Sequence, residues 1–184
     1  ASTVRALQAY RERGGKLAII TGRDDVPPEV LALSPDALAV HNGAVVMHGG
    51  KIMASNYLSL QVLRWVKERQ PRGGRVLALT QGAVYADLSL YPDEAAWRER
   101  WALSHRPFRP LSECPPELLG LWCFHPDAAT WKSAVLAEFP DLSITGVQPP
   151  YADNMNISVA GVSKGGAVRR VAQLLGAPLS ATWA

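Results

Sequence analysis

The chain has 184 residues, of which 48% are hydrophobic and 19% charged, and its formal net charge at pH 7 is +3. This composition is typical of a soluble globular protein with one or two domains. No apolar run approaches the roughly 20 residues of a membrane-spanning helix, and the first residues do not resemble a secretion signal. We therefore expect a cytoplasmic protein with no membrane partner.

Arginine and lysine are concentrated at positions 64–75 and 98–109. A basic surface is one feature of nucleic-acid-binding proteins. The first cluster alternates with Leu63, Trp65 and Val66 at the spacing of an amphipathic helix, and no nucleic-acid-binding motif accompanies it. We interpret both clusters as solvated helix faces and expect no nucleic-acid partner.

The beginning of the chain predicts half of an α/β unit. Residues 2–13 predict a helix, and residues 17–20, which are all apolar, predict a strand that is buried on both faces. A helix followed directly by such a strand favours a parallel sheet. The strand ends in the polar sequence Thr21-Gly22-Arg23.

A second predicted strand ends in a similar loop. It covers residues 37–40 and is followed by His41-Asn42-Gly43. Residues 44–47 and 52–54 then predict a hairpin whose tight turn is Gly49-Gly50. Two strand ends with polar, glycine-containing loops are typical of the edge at which an open α/β sheet binds ligands.

The middle of the chain predicts an α+β region with its own core. Its predicted elements are a helix at 59–70, strands at 75–80 and 83–88, a helix capped by Asp93, a proline-rich connection, a strand at 118–124, a helix capped by Asp127 and a strand at 142–147. Most of its tryptophans, at positions 65, 97, 101, 122 and 131, are expected in that core.

The last part of the chain returns to the α/β pattern. Residues 156–160 predict a strand, Ser163 predicts the cap of an amphipathic helix that Gly176 ends, and residues 180–184 predict the start of another strand. We therefore expect a core domain that is interrupted by an inserted domain and that continues beyond both ends of the sequence.

Three segments together resemble the Cof-type branch of the haloacid dehalogenase superfamily. They are the sequence KLAIITGR at 16–23, Asn42-Gly43, and Gly161-Val162-Ser163-Lys164-Gly165 before an amphipathic helix. The resemblance covers nearly the whole chain and implies a Rossmann-like α/β core at residues 1–56 and 156–184. It also implies an α+β cap domain at residues 57–155.

The resemblance also implies a phosphate site. Thr21 and Lys164 are implied to be catalytic residues that bind the substrate phosphoryl group, with Gly22 and Arg23 in the same binding segment. Asn42 is implied to contact the region where core and cap meet. A hydroxyl at a strand end and an ammonium group in the first turn of a helix can converge on an oxyanion, which makes these roles physically consistent.

Each of these residues also has a structural interpretation. Thr21 suits the end of a strand, Asn42 suits a turn beside a glycine, and Lys164 suits a solvated first turn of a helix. Arg23 has three alternatives: contact with the substrate, contact with the cap, or an ion pair with one of the two aspartates that follow it.

Two motifs of the family do not occur among these residues: the aspartate pair that contains the nucleophile, and the acidic segment that binds the metal. Asp24 and Asp25 cannot replace the pair, because adjacent residues of an extended chain point in opposite directions. We expect the first motif before Ala1 and the second after Ala184 in the complete protein.

The resemblance implies a Mg²⁺-dependent phosphatase that acts on a small phosphorylated metabolite, such as a sugar phosphate or a phosphoglycerate derivative, through an aspartyl-phosphate intermediate. The implied cap would contact the leaving group, so one or two of its tryptophans are expected to line the substrate pocket. A non-catalytic phosphate-binding module and a phosphosugar mutase are the alternatives. The sequence does not indicate an oligomeric state.

A zinc site is a weaker alternative for the middle region. It would use Cys114, Cys123, His105 and His125, whose spacing matches no regular zinc motif.

Overall fold

The computed structural model describes residues 2–23, 26–100 and 106–183. The chain divides into two compact units: unit 1 comprises Ala1–Ser55 and Val162–Ala184, and unit 2 comprises Asn56–Gly161. Within the described ranges, no helix combines the length and the apolar character that crossing a membrane requires.

One to three strands separate successive helices along the described chain. In chain order they are α1 (Ser2–Glu12), β1 (Ala18–Ile20), α2 (Pro28–Leu31), β2 (Ala37–Val40), β3 (Val45–His48), β4 (Lys51–Ser55), α3 (Leu60–Glu68), β5 (Arg75–Leu79), β6 (Val84–Ala86), α4 (Glu94–Arg100), β7 (Phe108–Pro110), β8 (Gly120–Phe124), α5 (Ala128–Glu138), β9 (Ser143–Gln148), β10 (Tyr151–Ser158) and α6 (Lys164–Leu174).

Unit 1 contains a four-stranded sheet in the order β1-β2-β3-β4. The predicted parallel pairing is confirmed for β1 and β2, in which Ala18 is opposite Ala37. The remaining strands are antiparallel. Helix α6 packs on one face of this sheet, where Ala167 and Val171 join the apolar side chains of the strands.

The prediction that the first strand is buried on both faces is wrong. All three residues of β1 are half-buried. Among the described residues, β1 has a neighbouring strand on one side only, so its other edge is not covered. The predicted hairpin is confirmed, since β3 and β4 are joined by Gly49 and Gly50, whose φ angles are 55° and 74°.

The partly buried carboxylate of Asp36 connects α1 and the residues just before β1 to the rest of unit 1. The N–H of Leu17 donates a hydrogen bond of 2.9 Å to Asp36 Oδ2, and the charged groups of Arg11 and Lys16 lie 3.7 and 3.6 Å from the same carboxylate. Burial acts to raise the pKa of Asp36, but the Leu17 hydrogen bond and the two cations outweigh it and hold that pKa below its ordinary value.

Unit 2 contains a six-stranded sheet in the order β7-β6-β5-β8-β10-β9. One face of it packs against α3 and α5 in a core that includes Trp65 and Trp131, as the sequence predicts for these tryptophans. The two predicted caps are confirmed: Asp93 accepts from the N–H of Ala96 in α4, and Asp127 caps α5. Ser59 caps α3 in addition.

The strand predicted at 156–160 is confirmed for residues 156–158, which form the end of β10. It lies in a different sheet from the one expected, because Asn156 is paired with Trp122 of β8 and with Thr145 of β9 in the six-stranded sheet of unit 2. No strand is described at 180–183, where a 3₁₀ turn at Leu179–Ala181 covers the first two residues.

Strand β7 is a further difference from the prediction. It lies within the segment predicted as a proline-rich connection and pairs in parallel with β6. The predicted helix residue Trp101 and the zinc candidate His105 lie outside the described residues.

We expect Asp36→Asn to destabilise unit 1 by about 1–2 kcal/mol at pH 7, because it removes charge from a carboxylate that accepts a hydrogen bond and faces two cations. The pKa of Asp36 is lower in the folded state than its ordinary value of 3.8. The stabilisation is therefore complete above that value and is lost as the pH falls through the folded-state pKa. Native-state hydrogen exchange of the β1 amides at several pH values measures this effect.

Asp141→Asn is the matched control, because Asp141 is exposed and lies in unit 2. The stability difference between Asp36→Asn and the unmodified chain should shrink at strongly acidic pH. A stability difference that stayed constant from pH 7 downwards would contradict this account.

Candidate functional site

The loop after β1 begins at Thr21, which extends the parallel pairing by one residue. Its N–H donates to the carbonyl of Ala39 at 2.9 Å. Its hydroxyl oxygen accepts from the N–H of Arg23 at 3.0 Å. The side chain of Thr21 is therefore folded back onto its own loop, with the hydroxyl at the carboxyl end of the strand.

The His41–Gly43 turn after β2 is tied directly to this loop. The N–H of His41 donates to the carbonyl of Arg23 at 3.1 Å, and the N–H of Asn42 donates to the carbonyl of Thr21 at 2.9 Å. His41 and Asn42 both have positive φ angles, 50° and 56°, which are uncommon outside glycine but are tolerated by these two residue types. The two strand ends thus form one connected edge.

Asn42 lies directly against Gly22. A Cβ atom at position 22 would be 2.7 Å from Asn42 Oδ1, which is closer than real Cβ contacts. The structure therefore supports the turn interpretation of Asn42 and adds a contact that holds the loop after β1.

Helix α6 begins beside the same turn. Its predicted cap is confirmed, since Ser163 Oγ accepts from the N–H of Gly166 at 3.0 Å. Gly43 has a φ of 97°, and a Cβ there would be 2.6 Å from Ala167 Cβ and 3.3 Å from the Ser163 carbonyl oxygen. The missing side chain of Gly43 allows the first turn of α6, and with it the backbone of Lys164, to approach the strand ends.

The carboxyl ends of β1 and β2 and the amino end of α6 therefore meet. This edge offers a threonine hydroxyl, loop amides, and helix N-terminal amides next to a lysine, and both Lys164 and Gly165 are exposed. Hydrogen-bond donors and positive charge in such an arrangement suit an oxyanion. Arg23 is also exposed, and Asp24 and Asp25, its alternative partners, lie outside the described residues.

The described residues do not fit a metal site, because they contain no group of three His, Cys, Asp or Glu side chains that could hold an ion. The cysteines of unit 2 are not activated nucleophiles either. Burial raises the pKa of the Cys114 thiol to about 11, and it also raises the pKa of the Cys123 thiol, so both are protonated at neutral pH.

The model of the haloacid dehalogenase-like hydrolase family matches residues 1–184. The chain belongs to this family. The predicted superfamily membership and the predicted α/β fold are thereby confirmed. No curated protein sequence matches the chain.

Solved structures of family members have the same fold. A subclass IIB sugar phosphatase of the haloacid dehalogenase superfamily is 19% identical with a TM-score of 0.72, over 97% of this chain and 69% of that one. A phosphatase of the superfamily from Bacteroides thetaiotaomicron is 22% identical, with a TM-score of 0.75. The match covers 97% of this chain and 66% of that one. A haloacid dehalogenase-like hydrolase from B. subtilis is 20% identical, with a TM-score of 0.67. The match covers 97% of this chain and 73% of that one.

The structure brings the predicted residues Thr21, Gly22, Arg23 and Asn42 together and places Lys164 at the start of the adjoining helix. Their roles in phosphate binding stay predictions. Sequence reasoning missed His41, which is buried and adopts a positive φ. The only local signal is its position between an apolar strand and Asn42-Gly43.

We expect Gly43→Ala to destabilise unit 1 more than Gly49→Ala does. Both glycines have positive φ angles, but nothing lies within 4 Å of a Cβ built at Gly49. Gly49→Ala should therefore show only the backbone cost of about 1–2 kcal/mol. Gly43→Ala has the same backbone cost and also brings its Cβ too close to Ala167, which should lower the stability of unit 1 by about 1–3 kcal/mol more.

Native-state hydrogen exchange of the β2 amides in both variants measures this difference. Equal losses of stability would contradict the conclusion that Gly43 is required by its contact with α6.

Proposed function

We propose that this chain carries the phosphate-binding part of a Mg²⁺-dependent phosphatase that hydrolyses a small phosphorylated metabolite, such as a sugar phosphate. The observation that carries the proposal is the close approach of Gly43 to Ala167, which sets the start of α6 against the ends of β1 and β2. Membership of a hydrolase family supports the reaction class. The fold shared with a sugar phosphatase supports the choice of substrate.

In this proposal, Thr21 and Lys164 bind the phosphoryl oxygens of the substrate. The Thr21 hydroxyl donates a hydrogen bond to one oxygen while its own oxygen accepts from the Arg23 N–H, and the loop amide of Gly22 lies between them in the chain. The Lys164 ammonium group compensates the negative charge, which is spread over the phosphoryl oxygens during transfer. Asn42 positions Gly22 through their contact.

The bound Mg²⁺ would supply further charge compensation at the phosphoryl group. The described residues contain no group of three His, Cys, Asp or Glu side chains that could hold it. The proposal assigns neither its ligands nor the implied aspartate nucleophile to the described residues.

We expect Thr21→Val and Lys164→Met each to lower the phosphatase kcat of the complete protein by about 10²–10³-fold, because each removes a fixed group that stabilises the phosphoryl charge. Thr182→Val and Lys51→Met are matched controls, since both positions are exposed in unit 1. The measurement is release of inorganic phosphate from a panel of phosphorylated metabolites with Mg²⁺.

Turnover within a few-fold of the unmodified protein in both variants would reject the site. Interconversion of hexose phosphates without phosphate release would identify a mutase, and phosphate binding without turnover would identify a non-catalytic module.

Phosphate binding can also be measured on the 184-residue chain itself. We expect titration with inorganic phosphate to shift the NMR resonances of the Gly22, Arg23, Gly165 and Gly166 amides, because these N–H groups lie in the two segments that would surround the anion. Lys164→Met should weaken the binding. Shifts confined to other residues would show that phosphate binds elsewhere.

A further inference from the structure

One side of helix α6 lies along the His41–Gly43 turn. Ser163, Ala167 and Arg170 follow one another at the i, i+4 and i+7 spacing of a single helix face. A Cβ at position 43 would be 3.3 Å from the Ser163 carbonyl oxygen and 2.6 Å from Ala167 Cβ. Arg170 Nη1 donates a hydrogen bond of 3.5 Å to the Gly43 carbonyl. This helix face therefore meets the end of the turn at three successive points.

The contact with Ala167 limits how close the turn can come, but it does not orient the turn. Each pair of touching apolar atoms attracts only weakly and has no preferred direction. Gly43 has a φ of 97°, and glycine has no Cβ to restrict its backbone. The direction of the Gly43 carbonyl is therefore not fixed by the residue itself, and a directional interaction is needed to select it.

Arg170 supplies this directional interaction. Hydrogen bonds from a charged donor are stronger than those between neutral groups, and the N–H groups of a guanidinium lie in one plane with fixed directions. Arg170 is half-buried, and its hydrogen bond is electrostatically stronger where water is partly excluded. The bond to Gly43 thus favours one orientation of the turn over the others.

The beginning of the same turn is bonded to the loop after β1. The N–H of His41 donates to the Arg23 carbonyl at 3.1 Å, and the N–H of Asn42 donates to the Thr21 carbonyl at 2.9 Å. The turn therefore connects the two segments that would surround a phosphoryl group, the loop at its beginning and α6 at its end. A change in the orientation of the turn would move the donors of one segment relative to those of the other.

Apolar packing holds α6 on the sheet independently of Arg170. Val171 and Leu174 pack with the side chains of the strands. These contacts involve the strands rather than the turn, and they do not depend on a guanidinium group. A substitution of Arg170 should therefore change the turn without detaching the helix.

We propose that Arg170 is a positioning residue for the phosphate site. By orienting the Gly43 carbonyl, it holds the loop after β1 and the first turn of α6 in the arrangement that binds the phosphoryl group. It acts through the turn, and no contact with the substrate is assigned to it. The inference rests on the proposed function and adds a residue that lies outside the three segments on which the family resemblance depends.

The first test compares hydrogen exchange in Arg170→Met and in the unmodified 184-residue chain. Methionine keeps an unbranched apolar side chain but has no donor. We expect the His41 and Asn42 amides to exchange about tenfold faster in the variant, because the turn has lost its bond to α6. The Thr21 amide, which pairs with Ala39, should change by less than about twofold. A purely structural role in the stability of unit 1 would accelerate all three amides equally.

The affinity for inorganic phosphate is the second readout. Titration of the 184-residue chain is followed at the Gly22 and Gly165 amides by NMR. Arg170→Met should raise the Kd about three- to tenfold, because a smaller fraction of the molecules has the turn in the binding orientation. Arg170→Lys keeps a charged donor and should recover most of the affinity and of the exchange protection.

Arg169→Met is the matched control, because Arg169 is the exposed neighbour of Arg170 on the same helix and undergoes the same change. It should leave both readouts unchanged. Arg170→Gln replaces Arg170→Met if circular dichroism shows that the latter does not fold. Glutamine is polar, as a half-buried position tolerates, and its side chain ends two atoms short of the arginine terminal nitrogens.

Unchanged exchange of the His41 and Asn42 amides in the folded Arg170 variants would overturn the proposal. Equal losses of phosphate affinity in Arg169→Met and Arg170→Met would overturn it too, since they would indicate a general effect of charge. If the unmodified chain does not bind phosphate at the Gly22 and Gly165 amides, the proposed function fails. The exchange of the two turn amides then still decides whether Arg170 orients the turn.

Discussion

The close contact between Gly43 and the first turn of α6 is the constraint on which the phosphate-site candidate depends. Only a residue without a Cβ fits between the turn and Ala167. The same turn fixes Asn42 against Gly22 and ties the two strand ends together through backbone hydrogen bonds. A bulkier residue at position 43 would push the helix away from the strand ends, and the donors of the two segments would no longer face the same anion.

Elements with strong local signals were predictable from the sequence. The Gly49-Gly50 turn needs positive φ angles that glycine supplies, and Ser163 caps the start of α6 with a hydrogen bond formed within four residues. Strand β7 and the start of β10 were not predictable in this way. Prolines and polar residues dominate their sequences. Pairing of β7 with β6 and of β10 with β8, which are not adjacent to them in the chain, overrides that local preference.

The residues of the candidate site were predictable in part. They lie in short motifs, so Thr21 and Lys164 could be named from the sequence, although the positive φ of His41 could not. Neighbours across the sheet of unit 2 could not be named in this way, because only the register of β8 against β10 shows that Trp122 and Asn156 are opposite each other.

The discontinuity of unit 1 has a consequence for the order of folding. Unit 2 is one continuous stretch of chain, whereas unit 1 is made of two segments on either side of it. Arg170 of α6 donates to the carbonyl of Gly43 across a sequence separation of 127 residues. Closing so long a loop in an unfolded chain costs about 4 kcal/mol in entropy. Prior folding of unit 2 shortens the flexible loop, so the docking of α6 is expected late in folding.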